Sequence, residues 1–227
     1  MPSVDIEGLT KDYQQGDVVV HALRGVDLQV ERGEFTALMG PSGSGKTTLL
    51  NVIGGLDQPS GGKVVVDGRD VATMSKADRS AMRLLHLGFV FQAYNLIPVL
   101  SAYENAEFVL LLRGLPLEER RRRVLEVLEE VGLKGLEERR PHELSGGQQQ
   151  RVAVARAIVG EPAIVLADEP TANLDSETGH ALIDTMEDLN QRLGITFLFA
   201  THDPKVMEHA RRVVRLVDGR VAEDVRK

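Results

Sequence analysis

Apolar residues recur along the chain in two rhythms, one suited to strands and one to helices. In the first third, Val4–Glu7, Leu23–Val30 and Glu34–Met39 read as short β-strands, the second with alternating apolar positions. Glycine-bearing turns such as Glu31-Arg32-Gly33 and Asp67-Gly68 separate them. Lys46–Ile53 reads as a helix directly after a glycine-rich loop. Ser75-Lys76-Ala77-Asp78 and Ser101-Ala102-Tyr103-Glu104 have the form of capping boxes and predict helix starts. From Ser101 to Arg140 the period is helical, with Leu117, Val124, Leu128 and Val131 on one apolar stripe. Beyond that, strand and helix alternate: Ala163–Ala167, a helix near Glu177–Leu193, Ile195–Ala200, a short helix, then Arg212–Val217. Strands apolar throughout, set between helices, predict an α/β domain with a mainly parallel sheet. A helical lobe between about Gln92 and Pro162 interrupts it.

The length of 227 residues suits one ample domain, or one domain with an inserted lobe. The absence of cysteine excludes a disulfide scaffold, a thiolate metal site and a cysteine nucleophile. With 34 acidic and 27 basic residues the net charge is −7, which argues against a broad positive surface for nucleic acid. Met1-Pro2-Ser3-Val4-Asp5 lacks the basic start and apolar core of a signal peptide. The most apolar runs, Phe108–Leu112 and Ala163–Ala167, fall far short of the ~20 residues that span a bilayer. A soluble protein is expected, one that meets any membrane from its surface. Glu118 and Glu119 lie four residues before Arg122 and Arg123, the favourable order for helix ion pairs. The run Arg120–Arg123 therefore reads as a solvated helix face, with a contact to lipid headgroups or a partner as the other reading.

Gly40-Pro41-Ser42-Gly43-Ser44-Gly45-Lys46-Thr47 matches the phosphate-loop pattern in full, between an apolar strand and a helix. Its glycines let backbone N–H groups turn inward as an anion cradle, and the helix N-terminus adds its positive dipole end. Lys46 is expected to reach the β and γ phosphates, Thr47 to ligate Mg2+, and Thr48 to complete the nucleotide-binding set. A strand that is apolar throughout and ends in two carboxylates, Ala163 to Asp168-Glu169, suits the other half of such a site. Asp168 then holds Mg2+ directly or through its water, and Glu169 polarises the attacking water.

These motifs establish nucleotide binding without choosing a job. Leu144-Ser145-Gly146-Gly147-Gln148-Gln149-Gln150-Arg151, about twenty residues before the acidic strand end, resembles the LSGGQ signature of ABC transporter ATP-binding subunits. The resemblance runs from Tyr13 to about Gly219 and looks closest to the lipoprotein-releasing and macrolide-export group, through GPSGSGKTTLLNVIGGLDQPSGG, GFVFQAYNLIPVLSAYENAE, LSGGQQQRVAVARA and ADEPTANLDS. It implies a P-loop NTPase core with a mainly parallel sheet and an N-terminal antiparallel β subdomain, residues 1–91 and 163–227. A helical lobe at about 92–162 carries the signature. It implies a head-to-tail homodimer sandwiching two ATP–Mg2+, in which Ser145, Gly146, Gly147 and Gln148 of one copy face the γ-phosphate held by the other. In that likeness Gln92 touches Mg2+ and the attacking water, and His202 contacts the γ-phosphate. Tyr13 stacks on adenine, and Asp175 crosses to the partner or serves only as a helix N-cap. A membrane permease would be met through the lobe, around Tyr94–Val99, with the protein cytoplasmic and peripheral on the inner face of the membrane. Export, lipoprotein release or mechanical work across the membrane would follow. Ala172 departs from the Gly common in that group, a source of strain if the backbone there needs positive φ. A soluble ABC ATPase acting on DNA or ribosomes is the alternative. It is disfavoured by a single motif set, no heptad tract and the acidic balance. A small-molecule kinase leaves the signature unexplained.

Overall fold

A strand that is apolar on both faces needs cover on both, and the central strands obtain it by alternating their side chains between two cores. The computed structural model describes residues 1–227, apart from the side chains of Pro204 and Lys205. Its main sheet joins β3 (Phe35–Met39), β6 (Leu87–Phe91), β7 (Ile164–Asp168), β8 (Thr196–Thr201), β9 (Arg212–Val217) and β10 (Arg220–Arg226) in the order β10-β9-β3-β8-β7-β6. Every pairing is parallel except that of the edge strand β10. Val165, Ala167, Phe197 and Phe199 turn to one face, with Phe35. Ile164, Leu166, Leu198 and Ala200 turn to the other, with Leu38. The scarce aromatics concentrate on the first face, where Phe35 lies 5.6 Å from Phe197 and 4.5 Å from Phe199.

The second core is closed by an antiparallel sheet of β1 (Val4–Gln15), β2 (Val18–Val30), β4 (Gly61–Val66) and β5 (Arg69–Asp70), in the order β2-β1-β4-β5. Helices α1 (Lys46–Ile53) and α2 (Lys76–His86) contribute Leu49, Ile53 and Met82 to the same core. The first core is covered by α3 (Ala102–Leu112), α4 (Leu117–Glu130), α5 (Gly146–Ile158) and α6 (Ser176–Leu193). A last short helix, α7 (Pro204–His209), connects β8 to β9. The helices of residues 92–162 enclose no separate core: Ala106, Leu110, Val124, Leu128 and Val154 form one cluster with the sheet face.

Lys46–Ile53 and Arg212–Val217 fold over the expected residues, and Ser75 and Ser101 cap their helices as their sequences predict. The mixed parallel and antiparallel architecture is the one expected. Four local expectations are corrected. The helical period from Ser101 to Arg140 resolves into α3 and α4, and the chain after Glu130 turns rather than continuing as helix. Leu117 leaves the stripe: it opens α4 at 58% exposure, while Val124, Leu128 and Val131 are fully buried. The first two strands extend into a long hairpin whose outer residues are largely exposed on both faces and so lack the alternation that marks a half-buried strand. On α4, Glu119 pairs with Arg123 at 2.7 Å as the spacing predicts, but Arg122 pairs forward with Glu126 at 3.0 Å.

The segment after β6 is held by Asn105, a residue only 1% exposed. Its Nδ2 donates to the carbonyls of Ile97, Leu100 and Ser101 at 3.2, 3.1 and 2.9 Å, and its Oδ1 accepts from the Ile97 amide at 2.8 Å. Asn105→Ala strands these backbone groups and is expected to cost about 3 kcal/mol, since each buried unsatisfied group costs 1–3. Urea unfolding checks it, and a loss below 1 kcal/mol contradicts the assignment.

Candidate functional site

Ligands of parallel sheets bind where the carboxyl ends of the strands open, and this molecule gathers its chemistry on that edge. The phosphate loop follows β3, Gln92 follows β6, Glu169 follows β7 and His202 follows β8 within two residues. They share a cleft of about 710 Å³ lined by Ser42–Thr48, Gln92, Glu169, Ala172 and His202.

The loop's shape depends on its glycines where it is crowded. Gly45, the N-cap of α1, has φ 104°, and a Cβ there would lie 2.8 Å from the Ala22 carbonyl oxygen. At Gly40 a Cβ would come within 2.2 Å of the Leu216 carbonyl oxygen. Lys46 is 8% exposed, and its ammonium donates to the carbonyls of Gly40 at 2.7 Å and Pro41 at 3.2 Å. The cation is thus held inside the loop it serves. The first amides of α1 have no acceptor within the helix by construction, which leaves them for an anion.

The Thr47 hydroxyl donates to Asp168 Oδ1 at 3.2 Å, which joins the two sequence motifs across 121 residues. Burial raises the Asp168 carboxyl pKa, the Thr47 hydrogen bond opposes the shift, and the charge of Glu169 adds to it. A hydroxyl beside a carboxylate that is costly to ionise is a hard-oxygen donor set that fits Mg2+. Among the described residues no group of three His, Cys, Asp or Glu could hold a metal unaided. The remaining ligands of such an ion would come from phosphate and water, as is usual for Mg2+ at nucleotide sites.

Glu169 is left-handed at φ 47°, its amide donating to the Ala200 carbonyl at 2.8 Å. A non-glycine residue in that region is uncommon and concentrates at functional sites. Its Oε1 lies 2.8 Å from His202 Nδ1, a pairing of residues 33 apart that no local pattern announces. Ala172 is not in a left-handed conformation, so the strain that Ala in place of Gly threatened does not arise. Its amide donates to the Glu169 carbonyl at 3.3 Å.

Other expected residues lie outside the cleft lining. The Tyr13 hydroxyl donates to Asp57 Oδ2 at 2.7 Å, and Lys11 Nζ stands 4.7 Å from its ring centroid. Burial, reinforced by Asp57, raises the Tyr13 phenol pKa. Tyr13 pairs across the hairpin with Val20, and it is Val20 that lines the cleft. Ser145 is exposed and caps α5 through a reciprocal box with Gln148, Oγ accepting at 3.3 Å and the Ser145 amide donating back at 2.9 Å. Gly147 has no room for a side chain, since a Cβ would meet Thr178 Cγ2 at 2.3 Å. None of Ser145, Gly146, Gly147 or Gln148 borders the cleft. Asp175 is the N-cap of α6, its carboxyl pKa lowered by the Thr178 amide at 2.9 Å and hydroxyl at 2.7 Å. Sequence reasoning missed one wall: Val20, His21, Ala22 and Arg24 from β2, with Asp218 and Gly219 from the β9–β10 turn. Only the register of the hairpin brings them there, and an Asp-Gly turn signal alone does not say what it faces.

Comparison with known proteins agrees with this geometry. Residues 23–172 match a family model described as ABC transporter. The lipoprotein-releasing system ATP-binding protein LolD of Anaeromyxobacter dehalogenans is 48% identical over 98% of this chain and 94% of its own length. The macrolide export ATP-binding/permease protein MacB of Sodalis glossinidius is 44% identical over 99% of this chain, which spans only 34% of MacB. A dimeric post-hydrolysis structure of the ATP-binding cassette MJ0796, bound to ADP and Pi, superposes with a TM-score of 0.91 at 42% identity, covering 98% of each chain.

Gly45→Ala puts a side chain at φ 104° and against the Ala22 carbonyl. It is expected to destabilise by about 2 kcal/mol and to weaken ATP binding by a factor on the order of ten or more, because the loop must shift. Urea unfolding and nucleotide titration measure both, and unchanged affinity contradicts the role given to the loop.

Proposed function

The chain belongs to the ABC transporter family, and on that premise we propose that two copies close head to tail over two ATP–Mg2+ and drive a membrane permease. One observation carries the dimer reading. Lys46, Thr47, Gln92, Glu169 and His202 meet in one cleft, while the Ser145 helix start, a second anion-binding terminus, lies exposed and off it. A second copy supplies the missing terminus.

On ATP binding, Lys46 exchanges the Gly40 and Pro41 carbonyls for β and γ phosphate oxygens, and the loop amides take the rest of the charge. Thr47, Asp168 and Gln92 would hold Mg2+, which when bound neutralises charge developing on the transferring phosphoryl group. Glu169 accepts a hydrogen bond from the attacking water. His202, now paired with Glu169, turns its imidazole toward the γ-phosphate. Tyr13 and Val20 flank the adenine. Asp175 keeps its cap and approaches the partner's site. The catalysis is positioning and electrostatics, and loss of the bridging phosphate lets the dimer reopen.

Residues 1–91 and 163–227 act as the nucleotide-binding body, and about 92–162 as the part that meets the permease. A groove of about 400 Å³ beside β6, with Leu56, Phe89, Phe91 and Val109 along it, suits an apolar helix of that partner. Val99, 71% exposed, sits on the neighbouring loop, whereas Leu96 is partly buried against the core. No helix among the described residues is long and apolar enough to cross a membrane, in keeping with an ATPase held at the inner membrane face by its permease. Lipoprotein release and macrolide export, named for LolD and MacB, make export or extraction the favoured work. The rival role on DNA or ribosomes is less favoured. The longest helix described, α6, has 18 residues and makes no coiled-coil arm, and the charge is −7.

Glu169→Gln is expected to bind ATP–Mg2+ and elute as a dimer in size-exclusion chromatography; a monomer only, at saturating ATP, counts against the sandwich. Lys46→Ala is expected to lower ATP turnover at least by a factor of about a hundred, within the range of a lost charge-stabilising contact. Turnover at the wild-type rate sinks the phosphate-loop assignment.

A further inference from the structure

Where the chain leaves β6, the residues around Gln92 are pinned by side chains from elsewhere. Gln150 is fully buried, and its Nε2 donates to the Phe91 carbonyl at 3.4 Å and the Pro170 carbonyl at 2.7 Å. Asn173 Nδ2 donates to the Gln92 carbonyl at 2.8 Å. Arg156 then donates to the next turn through both terminal nitrogens, to the Tyr94 carbonyl at 2.9 Å and the Asn95 carbonyl at 2.6 Å.

That turn is unusual. Tyr94 and Asn95 are both left-handed, at φ 57° and 51°, a conformation that two adjacent non-glycine residues keep only where their surroundings over-determine it. A guanidinium fork holds two neighbouring carbonyls from two separate nitrogens fixed in one plane. Arg156 is partly buried, and that burial lowers its pKa. It stands on α5, the helix that Ser145 caps, and the Tyr94 hydroxyl reaches the other end of that helix, 3.0 Å from where a Gly146 Cβ would lie.

We propose that Arg156 is a positioning residue for ATP hydrolysis, holding the Tyr94–Asn95 turn left-handed and so setting where Gln92 meets the cleft. The inference rests on the role given above to Gln92 in hydrolysis. It ties the glutamine segment and the signature to one rigid helix, so that the two move together. Arg156 and Asn95 also line the groove beside β6, so a partner segment seated there bears on the turn and through it on Gln92.

The test uses the full chain. Arg156→Met keeps the apolar stem and removes both donors; kcat for ATP is expected to fall by a factor of about ten, while KM, set by the phosphate loop, changes less than about twofold. Adding Asn95→Gly, which adopts positive φ freely, is expected to recover at least about a third of the lost rate, a rescue that a merely structural role does not produce. Asn95→Pro forbids the turn with Arg156 intact and is expected to reproduce the kcat loss, which keeps the question open to measurement if R156M does not fold. A wild-type kcat in R156M or N95P, or no recovery in R156M/N95G, overturns the proposal. Glu169→Gln runs alongside: if it is inactive while R156M turns over normally, only Arg156 is misassigned. If E169Q itself keeps full turnover, the hydrolysis reading fails.

Discussion

Everything at the nucleotide edge depends on a parallel sheet buried on both faces. The alternation that sends Val165 and Ala167 to the helices and Ile164 and Leu166 to the second sheet leaves the strand no freedom of register, because a slip by one residue exchanges the two cores. With β3, β7 and β8 locked side by side, Met39 pairs with Thr201 and Ala200 with Asp168. Lys46, Glu169 and His202 therefore emerge from adjacent strand ends, and the 3.2 Å approach of Thr47 to Asp168 follows from packing far from either residue. No loop has to fold independently to build the site.

The same groups that would receive a phosphate are engaged within the chain. Lys46 is occupied by the Gly40 and Pro41 carbonyls, His202 by Glu169, and Ser145 by the Gln148 amide. Nucleotide binding exchanges these bonds for others and gains only the difference, a balance suited to a cycle that must release product. It also reconciles a net charge of −7 with an anion site: the positive charge is local, with the buried Lys46 ammonium, Arg24 on the cleft wall and the amides at a helix start.

What was legible in the sequence was what depends on neighbours along the chain. The loop from Gly40 to Thr47, the helix that follows it, the serine caps and the wholly apolar strands each announce themselves within ten residues. The hairpin of β1 and β2 did not, because its outer residues are solvated on both faces and carry no alternation. Nor did the place of Leu117, whose helical spacing fits the stripe while its position at the helix start turns it to solvent. The Glu169–His202 pair, the Arg156 fork and the wall of β2 beside the phosphate loop join residues far apart in sequence. They are properties of topology, which local pattern does not encode.

The proposed dimer places half of each catalytic site in each chain, and a mixing experiment reads that division directly. A chain carrying Lys46→Ala and a chain carrying Ser145→Arg are each expected to be inactive alone, because on this proposal every site in either homodimer has one spoiled half. Mixed in equal amounts with ATP–Mg2+, they form heterodimers in which one site joins an intact Lys46 to an intact Ser145, and ATP turnover should appear that neither chain shows by itself. If the mixture hydrolyses ATP no faster than its separate components while the two chains demonstrably co-assemble, the site is not shared between subunits.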